Sequence, residues 1–389
     1  MTALNTLHQG MAWLTEESRM LAGMVVAFGR RDQHQTAFAH YGPETLFDLA
    51  SLTKMFTMLS VMKLKEQGKL RLSDTVGAYA PMFPHLKDLT LADIAAFTHR
   101  LVTPGRVDSA DSREEGLSRL FQAEAQPHTS GRVYSDIHAM VLKYVIEGAC
   151  GQTYADYLNA WLLKPLGLSR IYAQVPENER PHCASCDGEH RIEGDRFICR
   201  RGILPGTPHD PKAQLLSPHG EDLCGHAGLF ASLPDLVTLC QALLGGEVLR
   251  PDSLQEMAVR RQGRPLAEGY SQYLGYQCFV KHPDQRHSEV PPYMGQQAIS
   301  WSGFTGHHLS IDIERNCFCI LLGNRVENRL TVLVPPPGKT LADYGLNPDG
   351  SGRFPWPDGE RIYSSVNYVY QKDARLHAPI GEMLREMDG

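Results

Sequence analysis

Two serine–lysine pairs at a spacing of three stand in one stretch of this chain, Ser51 with Lys54 and Ser60 with Lys63. A serine hydroxyl is a weak nucleophile until a neighbouring base takes its proton. Residues three apart share a helix face, so a lysine can lie beside such a hydroxyl. Burial is the condition that lets a lysine amine accept a proton. The two pairs differ in position. Ser51 follows the short apolar lead-in Phe47-Asp48-Leu49-Ala50 and opens a run of helix formers, whereas Ser60 falls in mid-run. Nine residues turn a helix through about 900°, which puts Ser60 on the opposite face from Ser51. Ser51 and Lys54 are therefore the candidate nucleophile and base, and Ser60 and Lys63 are assigned a structural role. The positive end of the helix adds favourable charge where an oxyanion would form at Ser51.

Two further stretches carry residues suited to the same chemistry. Tyr134-Ser135-Asp136 follows the loop Ser130-Gly131-Arg132 and opens a helix, which suits a tyrosine proton shuttle facing Ser51. Trp301-Ser302-Gly303-Phe304-Thr305-Gly306 ends one strand and turns into the next. Its glycines admit a ligand close to the backbone, and an N–H there can pair with that of Ser51 to hold an oxyanion.

The elements that must position these groups can be read from periodicity. The run after Ser51 (Met55, Phe56, Met58, Leu59, Val61, Met62, Leu64) is apolar on nearly every side, the mark of a buried helix. Gly68 can end it in the left-handed conformation. Residues 1–20 read as helical, 21–29 as a buried strand, and 35–41 as its hairpin partner. Helices are expected at 90–98, 112–125, 136–149, 153–163 and 234–244. Strands are expected at 275–281, 297–302, 307–313 and 316–323, the last two joined by a turn at Arg315-Asn316. The Pro/Gly-rich stretch 335–358 reads as a long loop, and 360–386 as a helix broken near Pro379. These elements give an α+β chain: an antiparallel sheet built from both chain ends and flanked by helices, plus a mostly helical lobe, with the site at the seam. One domain spans 1–389, with an α/β lobe over about 1–72 and 265–389 and a helical lobe over about 73–264.

Composition narrows the function classes. At 42% hydrophobic and 21% charged, the 389-residue chain is ordinary for a soluble globular protein. The net charge of -6 argues against a nucleic-acid binder. No apolar run is long enough for a membrane span, and Met1–Met20 lacks the basic lead of a signal peptide, so a cytoplasmic setting is expected. The nine cysteines read as free thiols. Cys183, Cys186 and Cys199 carry only half of a zinc-site spacing, so neither a metal nor a cofactor is expected.

Together the three stretches resemble the motifs of the serine β-lactamase-like superfamily, closest to class C β-lactamases and their esterase and D-peptidase relatives. Leu163-Lys164-Pro165-Leu166-Gly167-Leu168, His209-Asp210-Pro211-Lys212-Ala213, Gly225-His226-Ala227-Gly228-Leu229-Phe230 and Ser302-Gly303-Phe304-Thr305-Gly306 resemble the segments that surround those motifs, in the same order over about 45–327. The resemblance implies the β-lactamase/transpeptidase-like fold. It also implies an acyl-enzyme at Ser51, with Lys54 and Tyr134 sharing the base and acid roles and the N–H groups of Ser51 and Phe304 holding the oxyanion. Two departures bear on the substrate. Trp301 stands where relatives carry Lys or His near a substrate carboxylate, and Asp136 stands where class C enzymes carry an asparagine. With the cation missing and an apolar indole offered to the cleft, small neutral esters are the expected substrates. A β-lactamase or D-amino-acid peptidase is the alternative, and a non-catalytic relative that only binds small molecules is the alternative of another class. The oligomeric state stays open.

Overall fold

The Ser51 stretch folds as a 3-10 turn, Ala50–Leu52, running straight into an α-helix, Thr53–Glu66. Nearly every side chain of that helix is buried, as its apolar periphery requires. It stops where Gly68 takes φ +69, with Lys69 N–H bonded to Leu64 O and Gly68 N–H to Lys65 O. Beside it lies the helix Asp136–Cys150, whose Met140, Val141, Val145 and Ile146 enter the same core. The computed structural model describes residues 2–128, 134–218, 222–264, 272–282 and 288–387. The loop 130–132 singled out above lies outside the described residues.

The central sheet is antiparallel. Strands Phe279–Val280, Ile299–Gly303, His307–Asp312 and Cys317–Gly323 pair in that order. The N-terminal hairpin, Met24–Gly29 with His34–Ala39, lies against Cys317–Gly323. Ala22 N–H donates to Asn324 O, and Asn324 N–H to Gly23 O, at the junction. Both chain ends thus build one sheet, as expected. Its two faces serve different layers, because side chains alternate along a strand. Phe318, Ile320, Leu322, Val25 and Ala27 enter the core around the Ser51 helix. Cys319, Leu321, Val26 and Phe28 pack on the far side, with Leu7 and Met11 of the helix Ala3–Ala12 and Leu376 and Ile380 of the helix Tyr368–Glu386.

Several elements differ from the sequence reading. The stretch 360–386 opens with a strand, Arg361–Ser364, and only then becomes a helix, Tyr368–Glu386. That helix is not broken at Pro379. A proline frees the carbonyl four residues earlier, here Arg375 O, and this carbonyl faces the neighbouring helix at Gly10, where a Cβ would meet it at 3.0 Å. The expected 275–281 strand is only Phe279–Val280, because Gln277 takes φ +51 just before it. The largest omission is a five-stranded mixed sheet. Its order is Arg353–Pro355, Arg361–Ser364, Arg329–Val334, Glu189–Glu193, Arg196–Arg200. The strand Arg329–Val334 runs parallel to both of its neighbours. The stretch 73–264, expected as mostly helical, therefore carries a β-hairpin at 189–200. Part of the expected loop 335–358 is also a strand, Arg353–Pro355.

Candidate active site

Ser51 sits at the mouth of the buried helix, after a residue under strain. Ala50 has φ +46, a left-handed conformation that a side chain disfavours. The buried Asp48 holds it there: its Oδ1 accepts the Ala50 N–H at 2.9 Å, and its Oδ2 accepts the His209 N–H at 2.5 Å. The main-chain oxygen of Asp48 accepts Thr305 Oγ1 at 2.8 Å and meets His307 Nε2 at 2.7 Å. One residue thus binds two distant segments, at His209 and at Thr305–His307, to the Ser51 turn. Burial pushes the Asp48 carboxyl upward, and the two N–H donors work against that. Sequence reasoning missed Asp48, although its place three residues before the serine was the available signal.

Lys54 reaches across the turn as its spacing requires. Its Nζ lies 2.8 Å from Ser51 Oγ, 2.7 Å from Asp136 Oδ1 and 3.4 Å from His226 O. The Tyr134 ring centroid is 4.8 Å from the same Nζ. Tyr134 is fixed by stacking between Phe279 and Phe97, each 5.4 Å away. Ser135 caps the helix that follows, accepting the Ile137 N–H. Burial alone would lower the Lys54 pKa, but the Asp136 carboxylate, and after it Tyr134, turn the shift upward. The ion pair with Asp136 thus opposes the lowering that burial alone was expected to give Lys54.

Asp136, the acid that stands where class C enzymes carry an asparagine, is not an unpaired charge. It pairs with Lys54 and, at 3.2 Å, with Lys212. Despite burial, Lys54, Lys212 and His226 hold its carboxyl well below the usual range. Asp210 caps the helix Pro211–Leu216 through Lys212 N and Ala213 N and accepts His226 Nε2 at 2.9 Å. Asp136, Asp210 and His226 bring ligand atoms within 4.8 Å of one another. The Lys212 ammonium contacts both carboxylates, so organic cations already balance this set. Cys199 lies 3.3 Å from His190 on the five-stranded sheet. All nine cysteines are free thiols.

The strand motif divides. Phe304 lines the cleft, and its ring is stacked on His209 at 5.5 Å with the Arg191 and Arg325 guanidinium groups each 5.1 Å from its centre. Gly303 is required by packing: a Cβ there would meet Leu49 O at 2.6 Å. Ser302 pairs with His308 in the sheet. Trp301 is not at the cleft. It is 2% exposed in the main core, and its Nε1 donates to Gln277 O at 2.9 Å. The apolar wall expected from it does not exist. Ser60 and Lys63 are drawn apart, Ser60 Oγ accepting Trp161 Nε1 and Lys63 Nζ donating to Val248 O.

The cleft has a volume of about 310 Å³ and is lined by Ser51, Tyr134, Asp136, Phe304 and, unexpectedly, Arg191 and Arg200. The two arginines come from the 189–200 hairpin. They share the fully buried Glu189, with Arg191 Nε at 2.7 Å and Arg200 Nη1 at 3.5 Å, and His209 Nε2 lies 2.9 Å from the same carboxylate. Burial would raise the Glu189 pKa. His209, Arg191 and Thr331 outweigh it and hold the group at about 2.

A serine at a helix mouth, a lysine ammonium on its oxygen and a tyrosine alongside can support acyl transfer. Comparison with known proteins agrees. The "Putative D-alanyl-D-alanine carboxypeptidase" of Salmonella gallinarum is 28% identical over 310 residues, covering 72% of this chain and 69% of that protein. Two solved structures share the fold. EstCE1, described as a hydrolase with promiscuous acyltransferase activity, has a TM-score of 0.64 at 22% identity, covering 83% of this chain and 93% of its own. A class C β-lactamase from Rhodobacter sphaeroides has a TM-score of 0.60 at 18% identity, covering 82% and 94%. No helix among the described residues is long and apolar enough to cross a membrane. The family model described as Beta-lactamase matches residues 5–333, most of the chain, and the protein belongs to that family of serine hydrolases.

Proposed function

We propose that Ser51 is the nucleophile of an acyl-enzyme hydrolase acting on small esters. The observation that carries this is the 2.8 Å contact between Lys54 Nζ and Ser51 Oγ at the floor of an open cleft. The hydroxyl adds to the substrate carbonyl, and the leaving group departs as Ser51 is acylated. Water then releases the acid and restores the hydroxyl. Lys54, held as an ammonium by Asp136, orients Ser51 Oγ and stabilises the charge that develops on it. Tyr134 trades the proton between Ser51, the leaving group and the incoming water. The N–H groups of Ser51 and Phe304 receive the oxyanion.

The restriction to neutral esters loses its support, because Trp301 is in the core and two arginines face the cleft. That observation favours a second reading, a D-amino-acid peptidase, in line with the Salmonella relative's name. Labelling by a fluorophosphonate probe tests the nucleophile. Wild-type protein is expected to be labelled at Ser51, and Ser51→Ala to be unlabelled while Ser60→Ala keeps the label. An unlabelled wild type would leave a binding protein. Rates on nitrophenyl butyrate, nitrocefin and D-alanyl-D-alanine then separate esterase, β-lactamase and peptidase.

A further inference from the structure

We propose that the 189–200 hairpin is a substrate-reading element, and that Arg191 and Arg200 bind an anionic group of the substrate a short distance from the scissile carbonyl. The inference rests on the acyl-enzyme reading of Ser51 and deepens it.

The register of the hairpin is the first ground. Glu189 pairs with Arg200, Arg191 with Ile198, and Glu193 with Arg196. Side chains alternate along a strand and directly paired residues share a face, so these six form one face of the hairpin. The opposite face carries Ile192 and His190, which pack against the aromatic layer of Phe354 and Trp356. The sheet thus anchors one face and leaves the arginine face to the cleft.

The second ground is a second basin. A cavity of about 250 Å³ adjoins the first, and Arg191, Arg200, Asp210 and Pro211 line both. Its outer charges are locally balanced, Arg106 by Asp108 at 2.6 Å and Arg196 by Glu193 at 2.9 Å. The boundary between the basins is not. There two guanidinium groups share the single carboxylate of Glu189, and among the described residues the Nη atoms of Arg191 have no hydrogen-bond partner. The Phe304 ring steadies the Arg191 guanidinium at 5.1 Å. A fork of this kind suits a carboxylate or phosphate oxygen pair. The scissile carbonyl then occupies the first basin, the anion sits at the boundary, and the remainder of the substrate extends into the second.

Matched esters test this. Wild-type kcat/KM for mono-4-nitrophenyl glutarate is expected to exceed that for 4-nitrophenyl butyrate about tenfold or more, the worth of one charge-assisted contact. Arg191→Gln and Arg200→Gln should each lower that ratio about tenfold, with Arg191→Lys retaining part of it. An ω-phosphonate ester preferred over the glutarate supports the same site and identifies a tetrahedral anion. Binding of free glutarate to Ser51→Ala protein, followed by calorimetry, reads the subsite without chemistry and without an arginine variant. Saturable binding that weakens in Ser51→Ala/Arg191→Lys is expected. If Ser51 is labelled and active but both esters turn over alike and glutarate does not bind, the anion subsite is wrong and the hydrolase stands. If glutarate binds but Ser51 is neither labelled nor acylated, the hydrolase reading fails and the subsite stands.

Discussion

Two polar clusters face each other across the cleft, and they are made in opposite ways. The Ser51–Lys54 pair is local: three residues apart, on one turn, inside one hydrophobic core. The Glu189 hub is assembled from afar. Arg191, Arg200, His209 and Thr331 converge on it from three segments, and the hairpin that carries it is placed by pairing with Arg329–Val334. In the proposed reaction the first cluster sets which bond is attacked, and the second sets what surrounds it. A local arrangement can be read from spacing, whereas a convergent one cannot.

The most severe way to separate the two is at the nucleophile. Ser51→Ala is expected to lower turnover about 10⁴- to 10⁶-fold without changing the urea midpoint, whereas Glu189→Gln should shift that midpoint. The glutamine leaves two half-buried arginines competing for a neutral amide, a change worth about 3 kcal/mol. A Glu189→Gln protein as stable as wild type would mean that the hub holds nothing in place.

Next in size is Trp301→Lys. Were Trp301 a cleft residue, lysine would add a carboxylate-binding cation. In the core, the exchange removes a packed indole and its hydrogen bond to Gln277 O, and buries an amine without a partner. A loss of about 4 kcal/mol in unfolding free energy is expected, with no gain on carboxylate-bearing esters. A stable, carboxylate-preferring variant would return Trp301 to the cleft.

Asp136→Asn sharpens the local side of the comparison. Burial is the largest single influence on Lys54, and Asp136 together with Tyr134 outweighs it. Without the carboxylate, burial dominates and the lysine pKa falls. An ionisation should then enter the pH–rate profile from the alkaline side, with stability lower by about 3 kcal/mol. An unchanged profile would show that Lys54 does not depend on this pairing.

The smallest expected effect concerns acid. Burial pushes His138 to about 3 and His307 to about 4. Their unfolded counterparts titrate near 6.5, so below that pH the unfolded chain binds more protons. Stability from these two is complete above about pH 6.5 and is lost as pH falls toward 4. From pH 7.5 to 5.5 the loss should be about 2–3 kcal/mol. Glu189, depressed to about 2, adds stability that is present above about 4.5 and lost only below it. Urea midpoints at pH 7.5, 5.5 and 4.5 check both steps. A flat response down to pH 5.5 would mean that these histidines are solvated.

The legible parts of the chain follow the same division. The buried helix, its glycine stop, the sheet from both ends and the Ser51–Lys54 contact rest on short-range patterns, namely apolar periodicity and i,i+3 spacing. What stayed hidden depends on partners distant in sequence. Glu189–Glu193 is charged at alternate positions and short, so nothing local marks it as a strand until Arg329–Val334 lies parallel to it. Lys54 looked like a free base because Asp136 is 82 residues away. Trp301 looked like a cleft residue because the resemblance put it where relatives carry Lys or His. The strand pleat turns it inward, toward the backbone bend at Gln277.

That inward turn also constrains which side chains position 301 can accept. Packing and a hydrogen bond tie the tryptophan there to the 274–279 bend. A lysine there would have to be preceded by rearrangement of the 274–279 bend that now receives the indole. The charge recognition proposed for the hairpin is not tied down in this way, because its arginine face adjoins Ser51 through the cleft rather than through shared core. Adaptation to a new acyl group has an open route through residues 191–200 and a closed one through residue 301.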